Sequence, residues 1–397
     1  MLAIQSALSA IGVAAFYENF WDKEVVVAPR SEAASQELGD LMEAVSSFLD
    51  RTDIRLPDVR LVQDGREFPF GSYTRERRVG SYVSHDWVDN ERVFQAYREG
   101  ATIVLQVLQH SLPSFGTSIN SLELLFGCSV NATCFITPPG SQGFSPHYDT
   151  YSSFAVQLIG EKKWSFYDSA LLLPLSEDQL EEEWKSVKPT KEIVLRPGEV
   201  LYVPRRQYHS ALATEAASVH MSIALLSADW LDIMRASLTN LDRNPRLRVS
   251  PPPNLRDLPS LGDERPTLEI ERIVSDQLDL SDGLRSTSDD VFAHHVDTRS
   301  GRLLDLIELS RNDAVESYQL QPVPYRLILR DEYTLLQFAN KELKFPSHIY
   351  PVLTAICSFD SSFSVNSLPD THDEDSLLLL LRTLTEEGFL RIARIRA

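Results

Sequence analysis

The sequence predicts a mostly β catalytic core of the double-sheet, jelly-roll kind, followed by a helical segment and a small C-terminal module. Three observations carry this. Between Cys134 and Leu225 short apolar runs recur, each closed by a corner rich in Pro, Gly or Ser. Within that stretch His147 and Asp149 stand one residue apart, and His209 follows on a later run. After Ala228 the two-residue alternation gives way to helical periodicity.

In chain order, Ser35–Phe48 and Asp89–Leu108 read as helices, and Leu112–Phe126 as a loop feeding a helix beneath the sheets. The run Cys134-Phe-Ile then enters Thr-Pro-Pro-Gly-Ser-Gln-Gly-Phe-Ser-Pro, a rigid segment able to deliver His147 and Asp149 at a fixed angle. On a strand, alternate side chains share a face, so both would point into one cavity. The runs on either side of Gly160–Glu161 read as two antiparallel strands of a hairpin. On the second of them Lys162, Trp164 and Phe166 share a face. Two large aromatic rings mark that face as inward, and an inward ammonium is costly unless an anion meets it. Lys162 therefore reads either as a clamp for the remote carboxylate of a metal-chelating dicarboxylic acid or as a snorkelling or salt-bridged residue. The spacing leaves the two level.

The acidic segment Ser176–Trp184 reads as a short surface helix. Next, Pro197–Gly198 makes a turn, Val200–Val203 a short strand, and the chain turns again at Arg205–Arg206 before His209. In Val219–Leu225 the residues Val219, Met221, Ile223 and Leu225 form an apolar face. His220, Ser222 and Ala224 form a small, partly polar face that suits a pocket wall. His220 and Ser222 read either as groups near the metal or its ligand or as wall residues, a hydrogen-bonded wall residue being the simpler reading for His220, and both stay outside the ligand set.

Two imidazoles and one carboxylate are the protein share of a non-heme iron(II) site, which leaves three octahedral positions open. The triplet alone is common by chance. Its weight comes from the sequence around both halves.

At this point the chain resembles the JmjC-type, cupin-fold 2-oxoglutarate oxygenases of the ribosomal-oxygenase group. The resemblance runs from about Asn131 to Leu225 and rests on TPPGSQGFSPHYD, QLIGEKKW, LRPGEVLYVPRRQYH and VHMSIAL taken together. It implies a double-stranded β-helix (jelly roll) core, Fe(II) held by His147, Asp149 and His209, 2-oxoglutarate as co-substrate, and O2. It places the basic residue for the 2-oxoglutarate side-chain carboxylate at Lys162, fifteen positions after the first histidine. The lysine form is more similar to the histidyl-hydroxylating branch than to the arginyl-hydroxylating one. Some relatives carry tyrosine where this chain has Phe135, so Thr133, Thr137 or Ser222 is expected to supply the missing donor, in a pocket bounded by Trp164.

Composition fits an enzyme of a reducing, cytoplasmic compartment: three cysteines with no CxxC pair, and no basic leader before a long apolar run. With 57 acidic against 38 basic residues the formal charge is −19, which argues against broad nucleic-acid binding. It suits an enzyme that draws a basic protein or peptide, although solubility alone explains it equally well. No apolar cluster is long enough to span a membrane.

The expected organisation is an oxygenase domain over 1–235, a helical region over 236–310 and a winged-helix-like domain over 311–397. The resemblance implies that the helical region forms a homodimer. In the last domain Phe363–Asn366 reads as a short strand and Glu374–Glu387 as a helix. That helix carries little basic surface, so the module reads as structural or protein-binding. Three functions stay open: a protein-side-chain hydroxylase acting on a histidine or arginine of a ribosomal protein, the same chemistry on a small peptide or natural-product intermediate, and a non-catalytic cupin-like binding protein.

Overall fold

The computed structural model describes residues 2–31, 35–168, 188–250, 265–293, 297, 299–311 and 315–394. The acidic segment Ser176–Trp184 and the proline run Pro251–Asn254 lie outside the described residues. Contacts divide the chain into two units, one of residues 1–226 with 296–298, the other of 227–295 with 299–397.

The first unit opens with helices α1 (Leu2–Ile11) and α2 (Val13–Asn19), strand β1 (Val26–Ala28) and helix α3 (Ser35–Leu49). Strands β2 (Val59–Gln63) and β3 (Arg66–Glu67) and the ribbon β4 (Thr74–Val79) with β5 (Tyr82–Val88) come next. Then come α4 (Asn90–Arg98), β6 (Thr102–Leu105), α5 (Leu108–Ser111), α6 (Pro113–Phe126) and β7 (Ser129–Thr137). The remaining strands are β8 (Ser152–Ile159), β9 (Lys162–Tyr167), β10 (Lys191–Leu195), β11 (Val200–Val203), β12 (Tyr208–Ala213) and β13 (Ser218–Leu226).

These strands form an eight-stranded sheet in the order β1-β11-β8-β13-β7-β6-β2-β3 and a three-stranded sheet in the order β10-β9-β12. Residues of both sheets line one cavity. Strand β13 shows how sequence pattern becomes layering. Val219, Met221, Ile223 and Leu225 enter the apolar core with Phe16, Phe154 and Tyr202, while His220, Ser222 and Ala224 line the cavity. The core side stabilises the sheet by roughly 1.5–3 kcal/mol per fully buried large apolar side chain. The cavity side is left to polar groups.

Three readings of the sequence change here. The helix expected over Asp89–Leu108 ends at Arg98, because Gly100 takes φ +107° and the β-branched run Thr102–Leu105 enters the large sheet. The helix over Leu112–Phe126 has no leading loop and starts at Pro113, in the first turn where proline is tolerated. The expected hairpin at Gly160–Glu161 is not one. Strand β8 pairs with β11 and β13, whereas β9 pairs with β10 and β12. Gly160, at φ +65°, turns the chain out of one sheet and into the other, and a Cβ there would meet the Ala217 carbonyl oxygen at 2.0 Å. A two-residue corner between sheets and a hairpin turn look alike in sequence.

The second unit contains α7 (Trp230–Thr239), α8 (Arg265–Gln277), α9 (Leu280–Ala293) and α10 (Arg302–Ser310). Helices α7 and α9 cross closely at Gly283, where a Cβ would meet the Ile233 carbonyl oxygen at 2.2 Å. Beyond them a meander of β15 (Tyr325–Leu329), β16 (Tyr333–Phe338) and β17 (Lys341–Pro346) accompanies α11 (Tyr350–Cys357) and α12 (Glu374–Glu387). A pair of short strands, β14 (Tyr318–Leu320) and β18 (Leu390–Ile392), completes the unit. The strand expected at Phe363–Asn366 reduces to one bridge, Phe363 with Tyr318, followed by a 3-10 turn at Val365–Ser367. Ser364 caps that turn reciprocally with Ser367, and this local bonding outcompetes the extended form.

Candidate metal and co-substrate site

The segment between β7 and β8 carries His147 and Asp149 without forming a continuous strand. It runs beside β12 and touches it at two isolated bridges, Gln142 with Leu212 and His147 with His209. At the second, each backbone amide donates to the other carbonyl, at 3.0 and 2.8 Å. Directly opposed residues of an antiparallel pair place their side chains on the same face. The His147 and His209 rings accordingly lie 4.5 Å apart, centre to centre. The expectation that alternation on a strand presents the pair is thus replaced by a single bridge in an irregular loop.

Asp149 sits between the two imidazoles, with its carboxylate oxygens 4.0 Å from His147 Nε2 and 4.0 Å from His209 Nε2. The three ligating atoms lie within 4.8 Å of one another, a spacing that could hold one ion. The other ring nitrogens fix the tautomers. His147 Nδ1 is 2.9 Å from the Ser145 carbonyl oxygen and His209 Nδ1 is 2.9 Å from the Gln207 carbonyl oxygen. A carbonyl only accepts, so each Nδ1 carries the proton and each Nε2 lone pair faces the shared point. Burial, reinforced by the neighbouring His147, lowers the His209 pKa to about 4, so its ring is neutral near pH 7.

The corner before His209 is tied to the start of the chain. Arg205, 8% exposed, donates to Asp22 at 2.9 and 2.5 Å. Ser152 Oγ donates to the other Asp22 oxygen at 2.9 Å and accepts from the Arg205 amide and from the Tyr202 hydroxyl. The Arg206 amide donates to the Asp149 carbonyl at 2.6 Å. Residues 205–207 therefore hold Asp149 through its backbone and His209 through its ring. Nothing in the residue pattern marked Asp22, which lies 183 positions from Arg205.

The cavity beside the triad has a volume of about 270 Å³. All of the residues singled out from the sequence line it: His147, Asp149, His209, Lys162, Thr133, Thr137, Trp164 and Ser222. Lys162 is inward, 3% exposed, which removes the snorkelling reading. It is not the salt-bridged residue: its ammonium is 3.0 Å from Thr137 Oγ1 and 3.1 Å from His220 Nδ1, and no carboxylate pairs with it among the described residues. Burial pulls its pKa down from 10.5 to about 7. The adjacent Lys163 takes the outward, ion-paired role, 2.7 Å from Glu192. Trp164 presents a second unmet group, since its buried indole N–H has no acceptor. Arg60, Gln106, Phe144 and Tyr151 line the cavity as well and were not foreseen. They come from β2, the residue after β6 and the loop between β7 and β8, whose distance in sequence hides their convergence.

A JmjC domain model matches residues 113–233. Among curated proteins, the bifunctional lysine-specific demethylase and histidyl-hydroxylase NO66 of Aedes aegypti is 28% identical over 228 residues, covering 55% of this chain and 34% of that protein. Ribosomal oxygenase 2 of Bos taurus is 39% identical over 124 residues, 30% of this chain and 26% of that protein. The same protein of Rattus norvegicus is 28% identical over 246 residues, 60% of this chain and 50% of that protein. The chain thus spans between about a quarter and a half of the curated relatives it matches. Among solved structures, Escherichia coli YcfD superposes with a TM-score of 0.55 at 16% identity, covering 96% of this chain and 97% of that one. A structure of YcfD in complex with cobalt and 2-oxoglutarate gives 0.52 at 16%, with the same coverage. That likeness is one of fold, a mixed α/β arrangement of sheets and helices of the cupin/JmjC kind. Residues 113–233 thus match a JmjC domain, and the chain is similar in sequence to ribosomal oxygenases and in fold to YcfD.

Proposed function

We propose that the chain is an Fe(II)- and 2-oxoglutarate-dependent oxygenase that hydroxylates a side chain of a protein or peptide, in the manner that the names of its relatives describe. One observation carries the reading: a two-histidine, one-carboxylate cluster and a buried ammonium without a counter-ion share one cavity. The donor set fits the metal, because two neutral imidazoles and a carboxylate suit non-heme iron and leave positions open. The cavity fits the co-substrate, because an unpaired buried ammonium requires an anion and a dicarboxylate supplies one at the required end. The iron centre, chelated by the keto-acid end of 2-oxoglutarate, supplies decarboxylation of that acid to succinate with transfer of one oxygen atom from O2 to a substrate C–H bond.

The residues of the chain do the rest. His147, Asp149 and His209 hold the metal from one side. Lys162, supported by Thr137, binds the distal carboxylate and so sets the direction of the keto acid. Thr133 and Ser222, cross-strand partners on β7 and β13, line the same wall, with Trp164 below. Arg60, Gln106, Phe144 and Tyr151 border the part of the cavity left to the substrate side chain. The substrate is read as a basic protein, ribosomal by the names of the relatives, with histidine or arginine as the hydroxylated residue. Incubating iron-loaded protein and 2-oxoglutarate with lysate of a source strain lacking the gene tests this. One dominant peptide gaining a single oxygen in a ribosomal protein is expected. Hydroxylation confined to small metabolites would transfer the same chemistry to a natural product, and no 2-oxoglutarate turnover at all would leave a binding protein.

The finer architecture belongs to the same reading. The two sheets are taken to close as a jelly roll, residues 236–310 to form the dimerising helical region, and 311–397 to be winged-helix-like. Supporting the dimer, Leu268 on α8, Leu284 on α9 and Leu303 on α10 are all exposed. A mass that stays monomeric across a micromolar dilution series would sink the dimer. No helix among the described residues is long and apolar enough to cross a membrane.

A further inference from the structure

One histidine of the cavity is left over by the metal assignment. His220 stands on β13 directly across from Phe135 on β7, and it is 4% exposed. Packing fixes its ring. It stacks on Phe135 with centroids 4.8 Å apart and planes 6° from parallel, and Trp164 meets it edge-on at 5.6 Å. Its Nδ1 lies 3.1 Å from Lys162 Nζ.

The direction of that bond follows from the groups. A lysine ammonium has three donors and no acceptor, so Nδ1 accepts and the proton of the neutral ring sits on Nε2. A doubly protonated ring at this distance would put two cations against each other in a buried site. Nε2 has no hydrogen-bond partner among the described residues. The lysine is in the same position: one N–H goes to Thr137, one to His220, and the third has no acceptor. Two N–H groups without acceptors thus meet on one wall of the cavity, where a structural wall histidine should have both nitrogens satisfied.

We propose that His220 belongs to the co-substrate site, holding the Lys162 ammonium through Nδ1 and donating through Nε2–H to the distal carboxylate of 2-oxoglutarate. The inference rests on the oxygenase reading above and adds to it a neutral donor beside the cation. A carboxylate offers about four lone-pair sites, so one lysine N–H leaves most of them unmet. His220 supplies a further donor without adding charge. Its removal affects both the anion and the aim of the lysine.

The test uses Co(II)-loaded full chain, which binds without turnover, and two ligands. One is 2-oxoglutarate. The other is pyruvate, which shares the keto-acid end and lacks the distal carboxylate. Titration calorimetry is run on wild type, His220→Leu and His220→Gln. The expected result is that His220→Leu weakens 2-oxoglutarate by about tenfold or more, the worth of a hydrogen bond to a charged group. Pyruvate and Co(II) affinities stay within about twofold, inside the ordinary context dependence of a nearby contact. Glutamine carries both an acceptor and a donor, so His220→Gln should recover most of the loss. A His220→Leu protein that binds 2-oxoglutarate like wild type, or that weakens both ligands equally, overturns the assignment. Ring 15N NMR of wild type reads the tautomer without any substitution: protonated Nε2 with bare Nδ1 is expected, and a proton on Nδ1 overturns it. Wild type that binds Co(II) but not 2-oxoglutarate rejects the co-substrate reading itself, and this inference with it.

Discussion

The two ends of the cavity are built in opposite ways. The proposed metal end is made by a loop and a corner. His147 and Asp149 have side chains 40% and 27% exposed, and one bridge pair aligns the two histidines. The proposed carboxylate end is made by residues within strands, where Lys162 opens β9, Thr137 closes β7 and His220 lies near the start of β13, all almost wholly buried. The difference teaches where each end draws its precision. The triad, with His209 buried and the other two partly exposed, is held by hydrogen bonds behind it, from Nδ1 to carbonyls and from the Arg206 amide to the Asp149 backbone carbonyl. Lys162, the proposed clamp, is set by sheet register and stacked rings, and its burial carries a desolvation cost that a bound anion would offset.

That contrast breaks most visibly at the metal. Asp149→Ala should lower Co(II) or Fe(II) affinity by about a hundredfold or more while leaving the thermal midpoint of the metal-free protein nearly unchanged, since the carboxylate is partly exposed and outside the core. Metal titration followed by absorbance, beside a melting curve, measures both. Near-normal metal affinity would remove Asp149 from the ligand set.

At the other end the signs should split. Lys162→Met should weaken 2-oxoglutarate by about two orders of magnitude, the cost of an anion stranded in the cavity. The same change should raise the stability of the ligand-free protein, because it removes a buried charge that has no counter-ion. Loss of stability together with loss of affinity would mean that the lysine holds the sheet.

The pH response follows from the same group. Folding lowers the Lys162 pKa from 10.5 to about 7. Between those values the unfolded chain holds a proton that the folded chain lacks. The stability of the ligand-free protein should therefore rise with pH across that window, with a slope of at most about 1.4 kcal/mol per pH unit. Binding of the dicarboxylate restores the charged form, so above pH 7 it should take up a proton and weaken by up to about tenfold per unit. Calorimetry in two buffers of different ionisation enthalpy reads the proton directly, and both effects should vanish in Lys162→Met.

A smaller effect should come from the strap behind the metal end. Asp22→Asn leaves Arg205 buried with a weaker partner and loosens the corner that carries His209. A drop of about tenfold in metal affinity is expected, with 2-oxoglutarate affinity at saturating metal little changed. An equal loss at both ends would show that the strap serves the fold as a whole.

Much of the site was legible in the sequence because the chemistry lies in short motifs. The His147, Asp149 and His209 set follows from spacing and the surrounding motifs, and the inward face of Lys162, Trp164 and Phe166 from alternation; the cavity brings the triad together with Lys162 and Trp164. What was illegible depends on pairing. Gly160–Glu161 reads as a hairpin, yet it passes the chain between sheets, and only register reveals that Lys162 lies opposite Ala213 and His209 opposite Phe166. The pairing of His220 with Lys162 was hidden by the 58 positions between them. Asp22 and Arg60 carry no motif at all. The helix expected through Leu108 failed for a local reason: Gly100 and the β-branched Thr102–Leu105 outweigh the helical pattern before them.

The central claim is that one cavity binds a metal at its loop end and a dicarboxylate at its strand end. The most direct measurement is an anaerobic titration of 2-oxoglutarate into Fe(II)-loaded protein, following the visible charge-transfer absorption that appears when a keto acid chelates the iron. The account predicts a band that saturates at one equivalent in wild type, is absent in Asp149→Ala, and appears in Lys162→Met only at far higher 2-oxoglutarate. A wild type without the band, or a Lys162→Met titration that overlays wild type, would contradict it.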